Sequence, residues 1–231
     1  EEISRQFSIS TSVIPIEWKD YKLNVLDTPG YFDFFGEVIS GLKAADSAVL
    51  VVCAASGVEV GTEKSFHILE EENLPTVIFI NKMDRENADY YKTLNQLRDK
   101  FGNKVVPMTL PIGSEHSFTG YVDLIRNKAY VYSQKGIEEA DVPKDMEENV
   151  LKLREELIED IAENDEALME KFFAGEELSK DELLHGLKEG VKSRDIFPVV
   201  CGSSLKNIGI DVLLNIMTDV LPSPDEVNKF G

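Results

Sequence analysis

The stretch Thr76-Val-Ile-Phe-Ile80, followed at once by Asn81-Lys82-Met83-Asp84, decides the fold. Five consecutive β-branched or aromatic residues form a short run suited to a strand buried on both faces. The polar tetrapeptide then falls at that strand's carboxyl end. The arrangement repeats along the chain. Ala48-Val-Leu-Val-Val-Cys53 leads to a loop at Gly57, and Ile196-Phe-Pro-Val-Val-Cys201 leads to Gly202-Ser203-Ser204. Leu23-Asn-Val-Leu26, ahead of Asp27, reads as a further parallel strand, and Ile9 to Leu26 as two strands in all. Helical patterns cover 34–45, 61–73, 87–101 and 208–220. Short β-rich runs alternating with helices predict an α/β fold with a doubly wound, mostly parallel sheet. In such sheets ligands bind beyond the carboxyl ends of the strands.

Between residues 104 and 195 the pattern changes. Val105 to Tyr132 reads as short strands broken by Pro111, Gly113 and Gly120, and acidic helices follow at about 144–163, 165–174 and 179–192. Ser179 with Glu182 makes a capping box for the last of these. The expected organisation is a core over 1–103, an inserted α+β unit over 104–195, the core again over 196–222, and a linker over 223–231. Leu221-Pro-Ser-Pro224 supports the last boundary, because proline cannot continue a helix.

Composition narrows the class. The chain has 231 residues, 42% hydrophobic and 29% charged, as in globular proteins that bury a core. No apolar run approaches the roughly 20 residues that span a bilayer, and no signal peptide is evident. Cys53 and Cys201 lie within or at the end of apolar runs without CxxC spacing, so both read as buried, reduced thiols of a cytoplasmic protein. The net charge is −19, and residues 136–190 hold 19 Asp/Glu against 6 Lys/Arg. Such a segment repels phosphates and is no broad nucleic-acid-binding face. It is either a solvated helical surface or a dock for a basic protein.

Three loops carry the chemistry. In Asp27-Thr28-Pro29-Gly30, an acid at a strand tip can hold a Mg²⁺-bound water, and Gly30 lets a backbone N–H approach a terminal phosphate. Alone, the same four residues are an ordinary turn. In Asn81–Asp84, the Asp84 carboxylate can accept from guanine N1–H and the exocyclic amine, a donor pair that adenine lacks. Asn81 can tie neighbouring loops together, and the stem of Lys82 can cover one face of the ring. The plainer alternative is a polar loop that caps the next helix. Backbone N–H groups at Ser203, Ser204 and Leu205 can bind the guanine carbonyl oxygen, although such turns are common between strand and helix. Their shared order and strand-end placement give the three loops their weight.

In these motifs the chain resembles the GTPase family of translation factors. Asp27–Gly30 is similar to the family's third G motif, Asn81–Asp84 to its fourth, and Ser203–Leu205 to its fifth. The 118 residues between Asp84 and Ser203 exceed the helix and strand that should separate those motifs. An insertion here resembles the G′ subdomain of elongation factor G, as do Val106-Pro-Met-Thr-Leu-Pro-Ile-Gly113, Gly120-Tyr-Val-Asp-Leu124 and Gly175-Glu-Glu-Leu178. The resemblance implies a P-loop GTPase fold that lacks its N-terminal P-loop segment, with GTP or GDP and Mg²⁺ as cofactors of the full-length protein. A piece without that loop is expected to bind nucleotide very weakly, to be inactive alone, and to leave a gap in its sheet.

Arg5-Gln-Phe-Ser8-Ile9 resembles the end of switch I, with Ser8 at the position whose hydroxyl binds Mg²⁺. Gln6 and Phe7 depart from the family's usual Gly and Ile. Tyr31 stands where elongation factor G has the His that positions the attacking water. A phenol does not reproduce an imidazole, so weakened hydrolysis is expected; the alternative is that Tyr31 fills space and another group orients the water. The family implies the ribosome as partner, with the large-subunit stalk protein meeting the insert. Glu155, Glu156, Glu159, Asp160 and Glu163 follow 3–4 spacing and would form one negative face, with Leu153, Leu157 and Ile161 packed inward. The implied activity is a ribosome-stimulated GTPase of translocation type. The alternative is a GTP-dependent ribosome ligand, of ribosome-protection or release-factor type, in which hydrolysis is slow or dispensable.

Overall fold

The computed structural model describes residues 2–5 and 7–227, so residues 228–231 of the expected linker lie outside it. A short helix α1 (Glu2–Arg5) precedes the hairpin of β1 (Ser12–Trp18) and β2 (Tyr21–Asp27). After a 3₁₀ turn at Phe32–Phe34 come α2 (Phe35–Ala44), β3 (Ala48–Cys53), α3 (Val60–Glu71), β4 (Thr76–Asn81), α4 (Tyr90–Phe101) and β5 (Val105–Pro107). Four strands follow: β6 (Thr109–Ile112), β7 (Gly120–Asp123), β8 (Lys128–Ser133) and β9 (Gly136–Ala140). The chain then forms α5 (Glu147–Ala162), α6 (Glu166–Phe173), α7 (Lys180–Ser193), β10 (Phe197–Cys201) and α8 (Ile210–Asp219).

A parallel sheet with strand order β3-β4-β10-β5 forms the centre. Every residue of β4 before Asn81 is buried, as its unbroken apolar run requires once helices cover the sheet. From α3, Phe66 stacks on Phe101 at 3.8 Å and meets Phe197 edge-on at 5.1 Å, locking α3, α4 and β10 together. The sheet runs past residue 104: β5 ladders with β10, and only after Met108 does the chain enter the antiparallel sheet β6-β7-β8-β9. That crossing is well bonded. Met108 N–H donates to Val199 O at 2.8 Å, the Thr109 hydroxyl accepts from Cys201 N–H at 3.0 Å, and Tyr90 Oη–H donates to Thr109 O at 2.8 Å.

Leu23–Leu26 differs from expectation. It lies in β2, pairs antiparallel with β1, and shares no ladder with the parallel sheet among the described residues. None of its residues is fully buried: Leu23, Val25 and Leu26 are half-buried and Asn24 is exposed. Trp18 at the hairpin tip donates through Nε1 to Asn215 Oδ1 at 3.0 Å, and Glu37 of α2 accepts from Thr11 N–H at 2.8 Å.

The acidic helices form by the signals their sequences carry. Asp165 caps α6 by accepting from Ala167 and Leu168 N–H, and the Ser179–Glu182 box caps α7. α4 starts at Tyr90 rather than 87 because Asp89 is its N-cap, accepting from Lys92 N–H at 3.0 Å. On α5, Leu153, Leu157 and Ile161 are buried against α7. At Gly186 of α7 a Cβ would lie 2.7 Å from Ile161 Cγ2, so glycine permits that close approach. Leu157 is 1% exposed, and Leu157→Ala should cost about 2–5 kcal/mol in urea denaturation. Leu151→Ala on the same helix, where the side chain is 60% exposed, should stay within about 0.5 kcal/mol of wild type.

Candidate nucleotide site

The carboxyl ends of β3, β4 and β10 lie side by side, with Cys53 opposite Asn81 and Cys201 opposite Ile80. Asn81 joins the loops that leave them. Its Nδ2–H donates to Ser204 Oγ at 2.9 Å, while its Oδ1 accepts from Ser204 N–H at 3.0 Å and Lys82 N–H at 2.7 Å. Behind it, Met83 N–H donates to Gly202 O at 3.1 Å and Ala54 N–H to Asn81 O at 2.9 Å. Met83 is buried and anchors the loop, whereas Lys82 is exposed, with φ +64°. Asp84 is half-buried, and its carboxylate has no hydrogen-bond or ion-pair partner among the described residues.

The serine turn is closed by Ser203 N–H to Ile208 O and the reciprocal bond, at 2.9 and 3.0 Å. Gly209 follows in the left-handed region at φ +79°, where a Cβ would lie 2.4 Å from Cys201 O. Ser203 is buried, and its hydroxyl accepts from Lys206 N–H. Since the Ser204 N–H is taken by Asn81, the Leu205 N–H is the amide of this turn that has no protein partner among the described residues. The Leu205 side chain is 89% exposed. Asp84 and the Leu205 amide thus present an unused acceptor and an unused donor on two loops that Asn81 clamps together. The sequence did not single out Leu205 N–H within the turn, because its availability depends on where the neighbouring amides bond.

The Asp27 turn stands apart from that pair. Asp27 is exposed at the end of β2, Pro29 is buried, and a Cβ on Gly30 would meet nothing within 4 Å. No hydrogen bond or ion pair among the described residues links this turn to residues 81–84 or 203–205. Tyr31 is 56% exposed, and its ring lies 4.7 Å from Phe7, which also sits 6.3 Å from Phe34. Ser8 is half-buried next to Phe7, and Gln6 lies outside the described residues. Phe32, Phe34 and Phe35 are not core residues; Phe32 is exposed, with Lys64 Nζ 4.7 Å above its ring.

Cys201 is buried, and burial pushes its thiol up to about 12. Cys53 departs from expectation: it is only partly buried, because β3 is an edge strand of its sheet. Burial opposes its thiolate, but hydrogen bonds from the Ser56 and Ala55 backbone outweigh that and lower its pKa. On α5, Glu155 and Glu159 are exposed, as is Glu163 at its C-cap, while Glu156 and Asp160 are half-buried. Burial, followed by the charge of Glu163, raises the Asp160 carboxyl to about 6, with Arg98 pulling the other way.

This fold, a parallel sheet with an antiparallel unit let into it, is that of the nucleotide-binding domain of a translational GTPase. The chain belongs to the family described as the elongation factor Tu GTP-binding domain, which it matches over residues 1–223. It is 40% identical over 223 residues to an elongation factor G-like protein of Thermotoga maritima, covering 96% of this chain and 32% of that one. It also matches a solved crystal structure from Thermus thermophilus with a TM-score of 0.91 and 36% identity, over 97% of this chain and 34% of the other. The chain therefore spans about a third of the length of these relatives. No helix among the described residues is long and apolar enough to cross a membrane.

The clamp has a direct test. Asn81→Ala should release the Ser204 amide and speed its hydrogen exchange about tenfold, while Ile78 in the middle of β4 keeps its protection.

Proposed function

We propose that this chain is the GTP-binding domain of an elongation factor G-like GTPase that acts on the ribosome in a translocation-type step. The observation that carries this reading is the Asn81 clamp, which holds the unpartnered Asp84 carboxylate and the unpartnered Leu205 amide on adjoining loops. Asp84 would accept from guanine N1–H and the 2-amine, Leu205 N–H would donate to O6, and the stem of Lys82 would lie along one face of the base. Adenine satisfies neither contact. The core comprises the parallel sheet and its helices, and the insert is the unit between β5 and β10.

At the phosphate end, Gly30 has open space where a side chain would be, so its N–H can meet a terminal phosphate. Ser8 Oγ, and Asp27 through water, are hard oxygen donors of the kind that suits Mg²⁺, an ion that neutralises charge on the phosphates. Tyr31 lies against Phe7, so two departures from the family pattern share one aromatic contact. A phenol held there cannot take up a water proton as an imidazole does, and hydrolysis is accordingly slow. The acidic face at Glu155, Glu156, Glu159, Asp160 and Glu163 would steer a basic partner, the large-subunit stalk protein, to the insert. The second reading is a GTP-dependent ribosome ligand, of protection or release-factor type, in which hydrolysis is dispensable. The Phe7–Tyr31 contact favours it.

Base recognition is tested in the full protein that carries this chain by Asp84→Asn. An amide accepts from N1–H but offers a donor where guanine also has one. Binding of GTP should fall by at least about tenfold, and binding of XTP, which has a carbonyl at that position, should rise. Unchanged GTP affinity would exclude Asp84 from the base site.

Single-turnover hydrolysis with and without ribosomes separates the two functional readings. Tyr31→His should raise the ribosome-stimulated rate by about tenfold or more, and no change would mean that Tyr31 only fills space. In the same assay, Glu156→Lys with Glu159→Lys should lower stimulated kcat/KM severalfold at low salt and less at high salt.

A further inference from the structure

The inserted antiparallel unit reaches the backs of both loops assigned to the base. Tyr121 on β7 and Tyr132 on β8 converge on Asp211, in the first turn of α8. Tyr121 Oη–H donates to Asp211 Oδ2 at 2.9 Å, and Tyr132 Oη–H donates to Asp211 Oδ1. Tyr132 Oη also accepts from Gly209 N–H at 3.1 Å. Gly209 directly follows the bonded pair Ser203–Ile208, so one phenol fixes both the exit of the serine turn and the helix that follows it. The Tyr121 ring stacks on Tyr130 at 5.3 Å, which orients its hydroxyl. Burial, and then the Asp211 charge, holds the Tyr121 phenol far above its ordinary range. Burial, and then the hydrogen bond to Asp211, does the same for Tyr132, so both stay protonated donors at neutral pH.

The other loop is held from the turn between β6 and β7. Glu115 N–H donates to Met83 O at 2.9 Å, and Glu115 Oε1 accepts from Asn87 N–H at 2.7 Å. Met83 and Asn87 flank Asp84, so a single residue of the insert grips the loop on both sides of its carboxylate. Glu115 adopts φ +53°, a conformation in which a non-glycine side chain is strained and which its surroundings must enforce.

We propose that Tyr121, Tyr132 and Glu115 are positioning residues through which the insert sets the affinity and lifetime of bound guanine nucleotide without touching it. The inference rests on the base site proposed above. Tyr132 acts on the serine turn, whose Leu205 amide reads O6. Glu115 acts on the loop whose Asp84 reads N1–H and the 2-amine. The two effects are separable with IDP, whose hypoxanthine base keeps O6 and N1–H and lacks the amine.

Affinity for GDP, IDP and ADP is measured by calorimetry on the full protein that carries this chain, and release of labelled GDP by stopped flow. Tyr132→Phe should weaken GDP and IDP alike by about fivefold to tenfold, mainly through faster release, leaving their ratio unchanged. Glu115→Ala should weaken GDP more than IDP, and Glu115→Gln, which keeps an acceptor oxygen, should restore most of the loss. Tyr130→Phe, in the same sheet but bonded to Arg126 and Glu139, should stay within about twofold of wild type. GDP affinity and release unchanged in Tyr132→Phe and Glu115→Ala, with wild type preferring GDP to ADP, would overturn the positioning roles. An identical change in the GDP/IDP ratio in both variants would do the same, since a general loosening does not distinguish the loops. A wild-type protein that does not prefer GDP to ADP overturns the base site, and this inference with it.

Discussion

One side-chain amide holds the functional edge together. Asn81 bonds at once to the backbone and hydroxyl of Ser204 and to its own following amide, across a sequence separation of 123 residues. The distance along the chain is no obstacle, because β4 and β10 are neighbours in the parallel ladder. A long insertion between two strands adds little closure entropy when its ends are already fixed, since that cost grows only slowly with length. Here β5 and β10, which bound the insert, also pair with each other. A large unit can therefore be built into the domain while the two loops it separates remain in contact.

That unit is not a passenger. Met108 and Thr109 bond to β10 on one side and open the antiparallel sheet on the other, and the buried apolar residues form one cluster through both sheets. The tyrosines of the insert end on Asp211 and its glutamate ends on the Asn81 loop. The antiparallel unit is thus joined to the rest of the chain by a shared apolar cluster and by hydrogen bonds to β10, α8 and the Asn81 loop.

Features governed by local chemistry were readable in the sequence. The apolar run of β4, the Ser179–Glu182 capping box, the inward stripe of Leu153, Leu157 and Ile161, and the meeting of Asn81–Asp84 with Ser203–Leu205 all follow from periodicity, turn chemistry or strand-end placement. Pairing was less legible. Leu23-Asn-Val-Leu26 suits a half-buried antiparallel strand as well as a buried parallel one, and only its partner decides between them. Val105–Pro107 joins the parallel sheet for the same nonlocal reason, and Cys53 is partly open because β3 lies at an edge. Leu205 N–H was one of three candidate amides in its turn, with nothing to single it out, and the Tyr132–Asp211 bond had no signal at all. The first is defined by which neighbouring amides are already bonded, and the second by two tyrosines that look like packing on alternating strands.

The β1–β2 hairpin pairs only with itself among the described strands and is fastened near its tip to α8 and near its base to α2. Among the described residues no ladder bond joins it to the parallel sheet. Asp27, Gly30 and Tyr31 ride at its end, while Asp84 and Leu205 are fixed to the sheet itself. The two sets of residues thus belong to separate hydrogen-bonded units, one carried by the hairpin and the other by the Asn81 clamp.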